Sequence, residues 1–307
     1  MALASVSVGI CAYTELSNTV SLVDQILAIK TDEFRLSEVI VATPNQALIQ
    51  ELVGRDERLQ VVSEERREGK VVALNKILQR VRGDVVVLAS ADIRLGEDSL
   101  QSLVRRLLDD ARTGAVDSNV ELLNRKGTLM DKVSLLLWRV HNTTLETLDV
   151  DGRLGHTAGD LLAFRKGLVE KIPTMIVNDD AFIALAVKKR GLAVRRVQDA
   201  KVWVAGPRTP ADYVFQRSRI LGGHLQLVRK EKTIPTTFEF TFPSNPFRNM
   251  KLLMRTIATM GASYVFIFGA AVLLELDSLV LALWRQSRGK DQTCWRTISS
   301  TKELDSV

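Results

Sequence analysis

The sequence predicts an α/β chain built on a doubly wound sheet, and three features of its first third carry that reading. Apolar runs alternate with amphipathic segments, as in a parallel sheet covered by helices. The amphipathic segments carry their apolar residues at helical spacing. Gly54 and Gly83 stand where two of those helices should stop. The predicted strands are Val6–Ala12, Glu38–Thr43, Leu59–Val62 and Asp84–Ala89, with helices over Thr19–Ile29, Ala47–Val53 and Val71–Val81 between them. Such a layer places a nucleotide at the carboxyl ends of its strands.

At 307 residues the chain can bury one large core or two modest ones without metals or disulfides. Its two cysteines, Cys11 in an apolar run and Cys294 in a polar tail, form no secreted-type disulfide framework, so a reducing compartment is expected. Met1 to Ile10 lacks the charged start and cleavage site of a signal peptide, which predicts a cytoplasmic catalytic domain. The net charge of +6 is concentrated around Lys188–Arg196 and Arg217–Lys232. Such patches suit anionic lipid or phosphate as well as nucleic acid. The reading adopted is membrane and phosphate, with no nucleic acid.

The second half is expected to hold a helix from about Gly96, a strand at Ala115–Leu122 and a long helix over Leu129–Leu148. A Gly-rich stretch from Gly152 to Gly159 precedes a strand over Asp160–Phe164 and a helix over Asp180–Arg190. An extended run, Ala193–Val204, then leads to a basic helix over about Asp212–Arg229. Thr256 to Leu274 is a run of nineteen uncharged residues, close to the roughly 20 that a spanning helix needs. It continues past Glu275 and Asp277 to Trp284, so a tilted span and a re-entrant hairpin both fit. Basic residues on both sides leave the orientation open.

Three groups carry chemistry. Asp92 follows the apolar strand Val85–Ala89, where an open sheet has its ligand crevice, and a carboxylate there can hold a divalent cation on a diphosphate. A turn acid is the plainer alternative. Asn178-Asp179-Asp180 opens a helix; these are capping residue types, and a carboxylate held there also suits a general base. Gln216, Arg219 and Ile220 share one face of the basic helix, which can bring an amide and a phosphate-binding guanidinium into one cleft. A lipid-headgroup surface is the alternative there. His156 reads as an exposed loop histidine or as part of a mobile loop over the acceptor, His224 is given no role, and Trp138 reads as core of a packed helix or as an acceptor wall.

Asp92, Asp180 and Gln216-x-x-Arg219, with 35 residues between Asp180 and Gln216, resemble the spaced Asp, Asp and Gln-x-x-Arg-Trp signature of inverting family 2 glycosyltransferases. That group includes the cellulose, chitin and hyaluronan synthases and ceramide glucosyltransferase. Ala12-Tyr13-Thr14-Glu15 resembles the end of the family's first strand, and Gly69-Lys70-Val71-Val72-Ala73-Leu74-Asn75 resembles its Gly-Lys-x-x-Ala-Leu-Asn segment. Gly159 to Arg165 is similar to the strand before the catalytic helix. The resemblance implies a GT-A fold with a mixed sheet, a nucleotide-sugar donor, usually a uridine diphosphate sugar, and Mg²⁺ or Mn²⁺. It also implies roles: Ala12, Tyr13 and Glu15 at the nucleoside, Lys70 near the base or diphosphate, and Asp92 on the metal. Asp180 becomes the base, and Asp179, Gln216 and Arg219 face the acceptor and diphosphate.

Four positions depart from that pattern. Thr43 or Asn45 stands in place of the acid that reads the base, Ser90 replaces the first metal-side acid, Thr14 replaces Asn and Ile220 replaces Trp. The expected layout is a GT-A domain over 1–230, in halves of about 1–95 and 96–230. A linker and interfacial segment follows over 231–255, an apolar helix over 256–285 and a polar tail over 286–307. The expected reaction is one non-processive sugar transfer to a lipid-linked or other membrane-proximal glycan acceptor, because one span cannot build a polymer channel. A membrane-tethered nucleotide-sugar-binding or scaffolding protein that has lost turnover is the alternative. Homo-oligomer assembly stays open.

Overall fold

The computed structural model describes residues 3–123, 127–290, 293–294, 297–298, 301–302 and 304. In the first half β1 (Ala4–Cys11), α1 (Leu16–Leu27), β2 (Phe34–Thr43), α2 (Gln46–Leu52), β3 (Leu59–Ser63), α3 (Lys70–Leu78) and β4 (Val85–Ser90) alternate as the pattern predicts. The second strand begins earlier than expected because Phe34 is a buried anchor of the core. Then come β5 (Ile93–Leu95), α4 (Ser99–Leu108), β6 (Thr113–Leu122), α5 (Leu129–Val150), β7 (Leu161–Arg165), α6 (Asp179–Lys189), β8 (Ala193–Val204) and α7 (Pro210–Glu231).

These strands form one sheet in the order β3-β2-β1-β4-β7-β6-β8-β5. The first four are parallel, and Cys11 pairs in register with Ser90, so the segments leaving β1 and β4 emerge side by side. β7 runs antiparallel to β4, which returns its N-terminal approach, Gly159-Asp160, to the same end of the sheet. Ser90 N–H donates to the Asp160 carbonyl at 2.8 Å and fastens the two segments together. Apolar layers cover both faces. Val6, Val8, Ile10, Val85 and Val87 pack towards α1, while Ile40, Val86, Leu88 and Phe164 pack towards α3 and α6.

A buried ion pair fixes the loop that enters the site. Arg196 and Asp117 meet at 2.8 Å with side chains almost wholly buried. The guanidinium also donates to Asn119 and Asn142, and the other Asp117 oxygen accepts the Ala158 N–H at 2.8 Å. Burial raises the Asp117 carboxyl to about 6 despite the arginine. A charge taken out of water needs such full pairing.

The C-terminal region differs from its sequence reading. The stretch 231–255 is not a plain linker, for it holds α8 (Phe238–Thr241) and much of α9 (Pro246–Met260). The uncharged run Thr256–Leu274 is not one helix either. It breaks at Gly261, whose φ of 102° a side chain would resist, and α10 (Tyr264–Ser287) begins beyond it. The 24-residue α10 contains an 18-residue stretch of mean hydropathy 2.2 and is long and apolar enough to cross a membrane. Ile267, Ala270, Ala271 and Leu274 pack on α5 and its neighbours. Arg285 donates to Ser218 Oγ at 2.9 Å and Gln286 to the Gly222 carbonyl at 2.8 Å. One face of α10 is therefore held to the domain along most of its length.

Glu275, inside the apolar helix, accepts from Tyr213 Oη at 2.6 Å and from Arg217 Nε at 2.8 Å, while Arg217 also pairs with Glu239. This arginine thus ties α7 to both α8 and α10. Arg217→Met should destabilise the protein by about 3 kcal/mol, as removal of one partner from a largely buried ion cluster does. Denaturant unfolding measures it, and a loss below about 0.5 kcal/mol would show that the cluster is solvated.

Candidate active site

The ends of β1 and β4, the Gly159-Asp160 approach, the start of α6 and one face of α7 enclose a cavity of about 310 Å³. Ala12, Tyr13, Glu15, Lys70, Asp92, Asp179, Asp180, Gln216 and Arg219 all line it. These residues span the matched motifs, so the fold brings together what the sequence spread over two hundred positions.

Asp180 sits in the first turn of α6, half-buried, with one oxygen accepting its neighbour's Ala181 N–H at 2.8 Å. Asn178, the formal cap, does not bond the helix end; its amide donates to the Ile220 carbonyl of α7 at 3.0 Å. Burial, and after it the Asp179 charge, raises the Asp180 carboxyl to about 7. Asp179 turns onto Lys70, 2.9 Å away. Burial would lower the Lys70 pKa, but Asp179 and Asp180 outweigh it and hold the ammonium charged. Asp160 rises to about 8, by burial first and by the nearby Asp92 second. Arg219 is drawn the other way: burial lowers its pKa against Asp179, Asp180 and Asp92.

Gln216, Arg219 and Ile220 face the cavity together, as the helical spacing requires. Tyr13 carries the Arg67 guanidinium over its ring at 4.3 Å, and Pro44 and Glu64 continue that wall. Glu15 folds back on its own turn, accepting from Tyr13 N–H at 2.8 Å and Thr14 N–H at 2.9 Å. Burial opposes its charge, but Lys302 and the Tyr13 N–H hold its carboxyl below the usual range.

Two expectations are corrected. Thr43 does not line the cavity: it is fully buried and its hydroxyl accepts the Asn45 N–H at 3.1 Å. Asn45 is also spent, capping α2 through Ala47 and Leu48. The span 286–307 is no plain polar tail. Thr297, Ile298, Thr301 and Lys302 line the cavity, and Lys302 Nζ lies 2.7 Å from Asp92 and 2.8 Å from Glu15. Nothing in its local sequence marked Lys302, because its partners lie far away in the chain.

The expected exposure of His156 is also corrected. His156 is buried, not exposed, and stacks edge to face with His141 and His224 at 5.7 and 5.2 Å. All three line the cavity beside Trp138, which also packs on the core. Burial lowers all three imidazole pKa values, so they are neutral at pH 7. Cys11 and Cys294 are free thiols.

The family model described as glycosyltransferase like family 2 matches residues 4–223, and the chain belongs to that family. No curated protein matches the chain in sequence. Among solved structures it is similar to the mannosyltransferase PcManGT from Pyrobaculum calidifontis, in complex with GDP-Man and Mn²⁺. That match has a TM-score of 0.61 and 20% identity over 92% of this chain and 87% of the other. Mannosyl-3-phosphoglycerate synthase from Rubrobacter xylanophilus is similar at TM-score 0.50 and 15% identity, over 75% and 76% of the two chains. The structure of GalNAc-T7 with UDP, GalNAc and Mn²⁺ aligns at TM-score 0.50 and 16% identity, over 66% of this chain and 43% of that one. These likenesses establish a GT-A fold.

Gly159 sets the position of the Asp180 carboxylate. Its φ is +80° and a methyl group there would stand 2.8 Å from Asp180 Oδ2. Gly159→Ala should reduce kcat about tenfold or more by displacing that carboxylate. Binding of a nucleoside diphosphate should stay within about twofold, since only the acid moves. Equal losses in both would place Gly159 in donor binding.

Proposed function

We propose that the protein transfers a hexose from a nucleoside diphosphate sugar to a hydroxyl of a lipid-linked or membrane-proximal acceptor, in one inverting displacement with Asp180 as base. The observation that carries this reading is a half-buried carboxyl of pKa about 7 beside Lys70, Asp92, Gln216 and Arg219. A base poised near the working pH combines an ionised population with useful proton affinity. The acceptor oxygen forms its bond to the anomeric carbon as the bond to the diphosphate breaks. Its proton passes to Asp180. Lys70, charged through its pairing with Asp179, and Arg219 stabilise the departing diphosphate, and Asp179 acts by holding Lys70 in place.

Mg²⁺ or Mn²⁺ fits this site. The Lys302 ammonium against Asp92 is a stand-in cation, and Asp160, raised by burial and then by the Asp92 charge, lies beside it. Asp92 would hold the ion, which neutralises diphosphate charge, and one or two protein carboxylates are enough when phosphate oxygens complete the shell. Ser90 in place of a second acid is consistent with that count. On the nucleoside side Tyr13, Arg67 and Glu64 would meet the base, with Thr43 spent on its own turn. Uridine remains the donor implied by the spaced signature, and guanosine donors belong in the same test.

The outer face of α10 presents Phe266, Leu273, Leu276, Val280 and Trp284, continued by Phe247, Met250 and Met254 of α9. Lys251, Arg255, Arg288 and Lys290 are exposed beside it. An apolar face with basic neighbours fits insertion into an anionic bilayer surface. The docking of its inner face favours this side-on attachment over a free span, and it would bring a lipid-anchored acceptor close to α7.

Asp180→Asn should lower kcat by roughly 10²- to 10⁴-fold and leave donor binding in place. The wild-type rate should fall about tenfold per pH unit below 7, as the base is protonated. The stability sign is opposite. The folded protein favours the acid form, so this stabilisation is complete below about pH 4 and is lost as pH rises through 7. Asp180→Asn should therefore gain on wild type in melting temperature as pH rises from about 4 to about 7, with no further gain above that. Full activity in the variant would remove Asp180 from the chemistry. Separately, Leu273→Glu with Val280→Glu should weaken sedimentation with phosphatidylglycerol vesicles about tenfold. Unchanged sedimentation would rule out the α10 face as the attachment.

A further inference from the structure

The C-terminal tail occupies the place where the donor and its cation would bind. Lys302 Nζ bridges Asp92 Oδ2 at 2.7 Å and Glu15 Oε1 at 2.8 Å, two carboxylates on the segments that leave β4 and β1. The contact is not a loose surface pair. The Asn18 side-chain amide donates to the Lys302 carbonyl, and Ile298, Thr301 and Leu304 are buried. Thr297, Ile298 and Thr301 share the cavity with Tyr13, Arg67 and Lys70, the wall assigned to the nucleoside and diphosphate.

The charge of the site explains why such a contact forms. Asp92, Asp160, Asp179 and Asp180 converge there, and burial together with Asp92 holds Asp160 protonated near neutral pH. Lys70 serves Asp179 and faces Asp180, and Arg219 faces Asp92 from α7. Lys302 adds the ammonium that contacts Asp92 directly. Burial disfavours the Lys302 charge, but Asp92 and Glu15 outweigh it. A lysine is suited to a contact that must be released: it is a single compact charge on a flexible stem, without the two-pronged grip of arginine.

We propose that the tail is an internal competitor of the donor, with Lys302 holding the cation position on Asp92 and Thr297, Ile298 and Thr301 filling the adjoining donor space. The tail and the metal-bearing nucleotide then take the site in turn. The inference rests on the reading of Asp92 as the donor's cation ligand, and it adds regulation of that site. A doubly charged ion that brings its own diphosphate outcompetes one ammonium, so the donor opens the site at the cost of reduced apparent affinity. If the tail is docked in about nine molecules of ten, that reduction is about tenfold.

Calorimetric titration of the 307-residue chain with UDP or GDP in the presence of Mn²⁺ tests this, with wild type and Lys302→Met compared. Lys302→Met should bind the better of the two nucleotides about three- to tenfold more tightly. In wild type, saturating nucleotide and Mn²⁺ should make the peptide bond after Lys302 more susceptible to trypsin. Equal affinity in the two proteins overturns the inference, and weaker binding by Lys302→Met would make Lys302 a donor ligand instead. No binding of either nucleotide by either protein would overturn the donor reading itself and this inference with it, without touching the assignment of the tail contact.

Discussion

Like charges gathered at one end of the sheet are the constraint on which the site depends. Parallel pairing of β1 with β4 brings Glu15 and Asp92 together, and the antiparallel β7 returns Asp160 beside them. The start of α6 adds Asp179 and Asp180. Carboxylates this close cannot all ionise without cations, and Lys70, Arg219 and Lys302 answer that demand from three different elements. Burial first, and the incompletely compensated Asp179 charge second, leave Asp180 near 7, where a carboxyl can take a proton from a hydroxyl.

The same constraint shapes the scaffold. Asp117 and Arg196 spend a fully buried ion pair to clamp Ala158, one residue before the glycine that packs on Asp180. α7 serves the cavity and the apolar helix at once. Gln216 and Arg219 line the cavity, and Arg217 between them, also on its lining, pairs with Glu239 and Glu275. The apolar helix α10 is thereby bonded to the helix that carries Arg219 into the cavity. Whatever surface α10 meets is mechanically adjacent to the site.

Much of this was legible in the sequence because it was local. Strand and helix periods in the first half gave elements that the structure reproduces within a few residues, and the spacing of Asp180 from Gln216-x-x-Arg219 identified residues that do share a cavity. The failures at His156 and Lys302 were long-range, and those at Thr43 and Gly261 lay in backbone and hydroxyl geometry that residue type does not report. Thr43 had the correct strand end but the wrong direction, since its hydroxyl closes the turn that caps α2. His156 looked like an exposed loop residue because nothing in Gly152–Gly159 shows that α5 and α7 cover it. Lys302 lies 210 positions from Asp92, and no periodicity reports such a contact. Gly261 was hidden in an uncharged run, where composition gives length but not the backbone break.

Product stereochemistry tests the central claim most directly. With one base opposite the leaving group, a single displacement must invert the anomeric centre, so proton NMR of the product, recorded before mutarotation or under an acceptor linkage that prevents it, should show the configuration opposite to that of the donor sugar. Retention of the donor's configuration would contradict Asp180 as the base of a single displacement.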